Sequence, residues 1–344
     1  MRINILKNNY YIDIVNNEDN KLRSYLASFP KSRFLLLSDD NVYRIYKDRI
    51  RKILDGLGFE VFIIEQGEHS KSIENYTKIN KFLLEKNFTR SDKIIAFGGG
   101  VVGDLGGFVA STYLRGIDLI SIPTSLLAMV DSSVGGKNGV NFLGLKNQIG
   151  TFYFPKIVYI DTSFLDTLDE RNMRNGFTEI FKASLLSDKE FYYYLKNTND
   201  LDFEKVIKRA IEIKLSFVEN DEFDNGKRQM LNLGHTLGHA LEALSKGELN
   251  HGESVAIGMA YMTKLANCLG LGKKDLEDEL IETFSKYKIP TNYKFSSSQV
   301  IDLIRHDKKI KDNMINLIIP IEVGRAVQKK VSIEELEKLL NMVS

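Results

Sequence analysis

Lys93-Ile-Ile-Ala-Phe97-Gly98-Gly99-Gly100-Val101-Val-Gly103-Asp104 runs from an unbroken apolar strand directly into a glycine turn and the start of a helix. Gly98, Gly100 and Gly103 fit Gly-x-Gly-x-x-Gly, the arrangement in which backbone amides at a helix N-terminus receive a pyrophosphate. Any tight turn that needs positive φ draws on the same residue, so the pattern has to be read in context. It lies near residue 100 rather than on a first strand, which predicts a dinucleotide domain of unusual layout.

Upstream, a strand at Phe34–Leu37, a helix over Val42–Leu57, a strand at Glu60–Ile64 and a helix over Ser72–Lys86 lead up to the glycine segment. This alternation predicts an α/β domain with a mostly parallel sheet. Beyond about Thr162 the texture changes to amphipathic stretches at Glu190–Leu195, Phe203–Val218, Thr236–Leu244, Ser254–Leu269 and Lys274–Tyr287, which predict a predominantly α-helical second half. A chain of 344 residues is long for one core. The expected division is therefore 1–162, binding a dinucleotide, and 163–344, helical and binding metal and substrate.

Composition excludes several functions. Lysine and arginine number 47 against 46 acidic residues, a net charge of +1, so no bulk attraction to nucleic acid or an anionic membrane is expected. No uncharged apolar run approaches the ~18 residues of a membrane span. The one cysteine, Cys268, cannot form an internal disulfide, and the N-terminus lacks the apolar core of a signal peptide. A soluble, cytoplasmic protein acting on a small molecule is expected.

The window Asn232–Ser254 holds three of the five histidines. His235 and His239 stand one helical turn apart on one face, and His251 returns ahead of a second apolar helix. Spacing alone pairs His235 with His239 as metal ligands, completed by a carboxylate from elsewhere. Close packing of the two Gly-His pairs against a neighbouring helix is the competing account. Pro123–Lys137 combines hydroxyls, Asp131, a glycine pair and Lys137, a composition suited to an anion, and Lys146-Asn147-Gln148 follows it. Glu179 and Lys182 fall at i,i+3; their neighbours Phe177, Ile180 and Phe181 predict a covered face rather than a surface ion pair.

Together Gly-Gly-Gly-Val-Val-Gly-Asp-Leu, Val-Asp-Ser-Ser-Val-Gly-Gly-Lys, Lys-Asn-Gln-Ile-Gly, Glu-Ile-Phe-Lys, Leu-Asn-Leu-Gly-His-Thr-Leu-Gly-His and His-Gly-Glu-Ser-Val-Ala resemble the 3-dehydroquinate synthases, within the sugar-phosphate cyclases. The resemblance implies an NAD-dependent and zinc- or cobalt-dependent homodimer that converts 3-deoxy-D-arabino-heptulosonate 7-phosphate to 3-dehydroquinate and phosphate. The route is oxidation, phosphate elimination, reduction and aldol closure. It also implies Glu179, His235 and His251 as metal ligands, which frees His239 for the substrate phosphate. For NAD it points to Asp39, Glu68 and Lys71, to Gly99, Gly100, Val101 and Asp104 around the pyrophosphate, and to Thr124, Ser125, Asp131, Ser132, Lys137, Lys146 and Thr167. For substrate it points to Lys214 and Arg228 at the carboxylate. Lys137, Asn147, Lys182, Asn232 and His239 would surround the phosphate and nearby hydroxyls, joined by Lys308 or Lys309 and by Arg115 of the partner subunit.

The chain departs from that pattern in three places. Asn138-Gly139 stands where Thr-Ala is common, Leu145 where glycine usually precedes Lys-Asn, and Thr178 where alanine often precedes the ligand glutamate. Leu145 is expected to shift the loop that presents Lys146 and Asn147, and Thr178 to add a hydrogen bond behind the ligand. Three alternatives share parts of this reading: another cyclase such as 2-deoxy-scyllo-inosose synthase, a metal-dependent polyol dehydrogenase, and a non-catalytic NAD or metal sensor.

Overall fold

The strands of the first half are β1 (Arg2–Ile5), β2 (Tyr10–Val15), β3 (Phe34–Asp39), β4 (Phe59–Ile64), β5 (Lys93–Gly98), β6 (Asp118–Pro123), β7 (Lys137–Phe142), β8 (Leu145–Phe152) and β9 (Ile157–Asp161). Seven of them form one sheet in the order β1-β2-β9-β6-β5-β3-β4. β1 pairs antiparallel with β2, and every other pairing is parallel. The computed structural model describes residues 1–5, 10–219, 221, 224, 226–305 and 313–343. It falls into two units, Met1–Asp169 with Phe203–Lys208, and Glu170–Asp202 with Arg209–Ser344. The division comes after Asp169 rather than after residue 162, because the 3-10 turns Thr162–Thr167 cluster with the sheet.

β3 and β5 are buried along their whole length, which is why they read as continuous apolar runs instead of alternating ones. Asp39 ends β3 and caps the helix Asp40–Leu54 by accepting from the Val42 N–H at 2.9 Å. The helix after the glycine turn, Gly100–Thr112, packs Leu105 and Val109 into the core that holds Leu35, Leu37, Ile94 and Ala96. Close approach of this helix to the sheet is the work of Gly106, where a Cβ would stand 3.0 Å from the Ala96 Cβ and 3.2 Å from Leu37. Gly103, the third glycine of the expected motif, has nothing within 4 Å of such a Cβ, so it does not carry the helix–strand contact.

Chain direction explains the position of the glycine motif. From β3 the chain moves outward to β4, whereas from β5 it moves the opposite way to β6 and then β9. The connections diverge between the adjacent strands β3 and β5, and a parallel sheet opens a ligand crevice at the carboxyl ends of such a pair. Asp39 and Gly98 are the residues at those two ends.

The second unit is mainly helical, as the amphipathic stretches indicate. Its helices include Glu170–Ser187, His235–Leu244, His251–Cys268 and Leu276–Lys286. It also holds a hairpin not read from the sequence, β10 (Met314–Glu322) paired antiparallel with β11 (Arg325–Ser332). Among the described residues no helix is long and apolar enough to cross a membrane.

Helices His235–Leu244 and His251–Cys268 meet at backbone contact. At Gly234, whose φ is +75°, a Cβ would lie 2.5 Å from the Val255 carbonyl and 2.9 Å from the Met259 nitrogen; at Gly238 it would lie 2.9 Å from the Ser254 carbonyl. From the other helix, a Cβ at Gly258 would fall inside the Gly234 carbonyl. Gly258→Ala is therefore expected to destabilise the protein by about 1–3 kcal/mol, because backbone cannot give way as a side chain can. Gly103→Ala, in open space on a helix, should be neutral or stabilising by up to about 1 kcal/mol. Chemical denaturation of both variants checks the contrast, and equal effects would refute it.

Candidate active site

Three helices of the second unit bring a carboxylate and two imidazoles together. Glu179 lies midway along Glu170–Ser187, His235 opens His235–Leu244 and His251 opens His251–Cys268. Their ligand atoms all lie within 4.8 Å of one another. Glu179 Oε1 is 3.7 Å from His235 Nε2 and 3.3 Å from His251 Nε2, while its other oxygen, Oε2, pairs with Lys182 Nζ. Ligands about 2.0–2.1 Å from a tetrahedral zinc stand roughly 3.3 Å from each other, so these separations suit a divalent cation between the three atoms. The His235 ring is already oriented for that role, since its Nδ1 lies 3.0 Å from the Leu233 carbonyl and Nε2 is left facing Glu179. His239 is outside the group, although its ring centroid is 5.2 Å from that of His235. The pairing of His235 with His239 expected from spacing is thus replaced by a trio drawn from three helices.

Local packing fixes each ligand. Asn175, one turn before Glu179, touches Gly252, where a Cβ would stand 2.6 Å from the Asn175 Cα; the Asn175 side chain also accepts from the Gly252 N–H. This contact holds His251 beside Glu179. Asn250 and Glu253 form a reciprocal capping box at 2.9 Å in each direction, and Arg171 grips both Glu253 oxygens at 2.9 and 2.6 Å. The helix consequently starts at His251 instead of Ser254. Glu253 had no role in the sequence reading, yet Asn-x-x-Glu before an apolar helix is a legible capping signal. Glu179 and Lys182 are 2 % and 4 % exposed, which meets the expectation of a covered face. Burial works against charge on His251, but Glu179 and then Glu242 outweigh it and hold the ring at about 9.

In the first unit, residues expected to bind a dinucleotide stand at or beyond the carboxyl ends of five parallel strands: Asp39 as the last residue of β3, Glu68 and Lys71 after β4, Gly99, Gly100, Val101 and Asp104 after β5, Thr124, Ser125, Asp131 and Ser132 after β6, and Thr167 after β9. Gly99 precedes the helix N-terminus with no side-chain cap, so its amides face outward. The Ser132 oxygen would be 3.1 Å from a Cβ at Gly100, and it is buried with no hydrogen-bond partner among the described residues. A buried hydroxyl beside a bare helix N-terminus fits a pyrophosphate cradle. Lys71 pairs with Asp104, whose carboxyl burial pushes upward against the pull of that ammonium. Burial likewise raises Asp39. Thr167 is 2.6 Å from the Tyr46 hydroxyl.

Asn147, with φ +54°, is held by Asn141, whose side chain accepts from the Asn147 N–H at 3.0 Å and donates to Glu68 Oε1 at 2.9 Å. Asn141 lies in strand β7 at a register shift. Lys137, Lys146 and Arg115 are exposed. Arg228 is 4 % exposed and its N–H donates to Asp221 at 2.9 Å. Lys214 is also buried, and Asn232 closes the 3-10 turn that contains Arg228. Lys308 and Lys309 lie outside the described residues.

The departures are absorbed locally. Asn138 donates to the carbonyls of Gly136 and Tyr153 at 2.8 and 2.9 Å. Leu145 is a half-exposed strand residue, and the hairpin turn falls on Leu143 and Gly144, with φ +49° and +79°. The Thr178 hydroxyl expected behind the ligand instead donates to the Arg174 carbonyl of its own helix at 3.2 Å.

Residues 61–175 match the family model for the 3-dehydroquinate synthase N-terminal region, and residues 176–310 that for the C-terminal region. The 3-dehydroquinate synthase of Clostridium beijerinckii is 43 % identical over 315 residues, covering 89 % of this chain and 90 % of that protein. The chain belongs to the 3-dehydroquinate synthase family. Among solved structures, a 2-epi-5-epi-valiolone synthase from Streptomyces hygroscopicus, with NAD+ and Zn2+ bound, superposes with a TM-score of 0.89 at 27 % identity, over 97 % of this chain and 96 % of that one. A 2-deoxy-scyllo-inosose synthase complexed with carbaglucose-6-phosphate, NAD+ and Co2+ gives 0.87 at 23 % identity over 97 % of both chains, which speaks to the fold alone. For this member of the 3-dehydroquinate synthase family, Lys182→Met leaves a buried carboxylate without its ammonium. It should destabilise the metal-free protein by about 3–5 kcal/mol, and Zn2+ should recover part of that loss by supplying the missing positive charge. Denaturation with chelator and with Zn2+ checks this; a variant as stable as wild type without metal would refute it.

Proposed function

We propose that this protein is a 3-dehydroquinate synthase, converting 3-deoxy-D-arabino-heptulosonate 7-phosphate to 3-dehydroquinate and phosphate with catalytic NAD and Zn2+ or Co2+. The observation that carries the reading is the trio of Glu179, His235 and His251, built around a buried carboxylate, in a chain that matches the family along most of its length. When bound, NAD takes up and returns one hydride, and the metal polarises the hydroxyl from which it comes.

The chain's own residues bind, orient and shield. Arg228 offers a planar fork, and with Lys214, buried like it, would hold the substrate carboxylate. Lys137, Asn147, Lys182, Asn232 and His239 would surround the phosphate and adjacent hydroxyls, with Lys309 at the phosphate end and Arg115 reaching it from a second copy in a homodimer. His239 would assist the leaving phosphate in taking the proton made acidic by the neighbouring ketone. Asp39, Glu68, Lys71, Gly99, Gly100, Val101, Asp104, Thr124, Ser125, Asp131, Ser132, Lys146 and Thr167 would line the NAD site at the strand ends. The reading places the enzyme in the cytoplasm.

A cyclase acting on a different sugar phosphate shares this fold. Lys214, Arg228, Asn232 and His239, taken together as a carboxylate- and phosphate-binding set, favour the heptulosonate. Incubation with that substrate, Zn2+ and trace NAD should release many phosphates per NAD with no NADH build-up. No release, or NADH formed in proportion to substrate, would refute the proposal.

Ser132→Ala tests the NAD cradle separately. Its hydroxyl has no hydrogen-bond partner among the described residues, so melting without NAD should be unchanged or slightly higher. The Kd for NAD should rise about 3–10-fold, the equivalent of one hydrogen bond at about 0.5–1.5 kcal/mol. An unchanged Kd by calorimetry would remove Ser132 from the site.

A further inference from the structure

Glu242 lies seven residues after His235 and three after His239, on the face of helix His235–Leu244 that carries both rings. Its side chain is 13 % exposed and its Oε2 stands 3.8 Å from His251 Nδ1, at ion-pair range. The opposite nitrogen of that ring, Nε2, faces Glu179 at 3.3 Å. His251 thus has one nitrogen turned to the ligand carboxylate and the other to a second carboxylate on a neighbouring helix. His235 is arranged in the same way, with the Leu233 carbonyl in the place of Glu242.

We propose that Glu242 is the positioning residue of the metal centre. With metal bound, its carboxylate would keep the one imidazole proton of His251 on Nδ1, so that the Nε2 lone pair is the one presented to the point where Glu179 Oε1 and His235 Nε2 converge. A carboxylate behind a metal-bound imidazole fixes the tautomer and ring angle and makes the ring a stronger ligand. The helix-on-helix contact supplies the rigidity, since Gly238 and Val255 set the spacing between the strip that carries Glu242 and the first turn that carries His251. This inference rests on the trio being the metal site.

Zn2+ affinity measured by competition with a chromophoric chelator tests it on full-length Glu242→Gln and Glu242→Ala, with Glu179→Gln as reference. Glu242→Gln preserves size and packing and keeps an acceptor oxygen without the charge, so it carries the test if the alanine variant folds poorly. The expected result is a loss of about 10-fold for Gln and up to about 100-fold for Ala, with an altered visible spectrum in the Co2+-loaded proteins. Metal-free melting temperature should fall slightly at neutral pH, where Glu242 helps hold His251 charged, and by less than the loss of metal affinity implies. Affinity within twofold of wild type in both variants overturns the proposal, as does a lower melting temperature with affinity unchanged, which would make Glu242 merely structural. If Glu179→Gln also retains full affinity, the metal site itself is wrong; if it loses metal while the Glu242 variants do not, only the positioning role fails.

Discussion

The second unit depends on one contact, the approach of helices His235–Leu244 and His251–Cys268 to backbone distance at Gly234, Gly238 and Gly258. Side chains of ordinary size would hold these helices about 8–10 Å apart and draw His235 away from His251. Without Cβ atoms at the crossing, two ligands that begin different helices converge on a carboxylate from a third. Gly252 against Asn175 does the same for the Glu170–Ser187 helix. The motif Leu-Gly-His-Thr-Leu-Gly-His therefore encodes packing in its glycines and chemistry in its histidines, and neither works without the other.

That convergence is costly by itself. Glu179 and Lys182 are almost wholly removed from water, and a buried ion pair seldom stabilises more than a well-packed apolar pair of the same volume. An arrangement that divides the two carboxylate oxygens between an ammonium and two imidazoles is poorly explained as a device for stability. It is well explained as a site prepared for a cation, in which Lys182 holds one oxygen so that the other is aimed.

Much of this was legible in sequence, and the misses have physical causes. β3 and β5 are covered on both faces, so they appeared as unbroken apolar runs. The helix Phe203–Val218 has the observed limits because its periodicity is clean. Hairpin β10–β11 escaped because Asn316 and Pro320 interrupt the apolar run of β10, with a register irregularity after Pro320, and proline in a run argues against a strand. Periodicity paired His235 with His239, since it reports what shares a face on one helix and is silent on what another helix brings; only the resemblance supplied Glu179 and His251. Glu242 and Asn141 were invisible for the same reason, as their partners are 9 and 6 or more positions away in other elements.

The three departures from the family pattern show how such a site tolerates change. Asn138 occupies the space where a Cβ on Gly107 would be, so the larger polar residue in the strand depends on a glycine in the helix Gly100–Thr112. Leu145 is accommodated because the left-handed positions of the turn belong to Leu143 and Gly144, which leaves Leu145 an ordinary strand residue at the surface. Thr178 satisfies its hydroxyl within its own helix and so neither adds to nor subtracts from the Glu179 environment. In each case the changed side chain finds its compensation in backbone or in a glycine rather than in a polar group of the site. A chain can therefore drift in the residues around its loops while Glu179, His235 and His251 keep their mutual geometry.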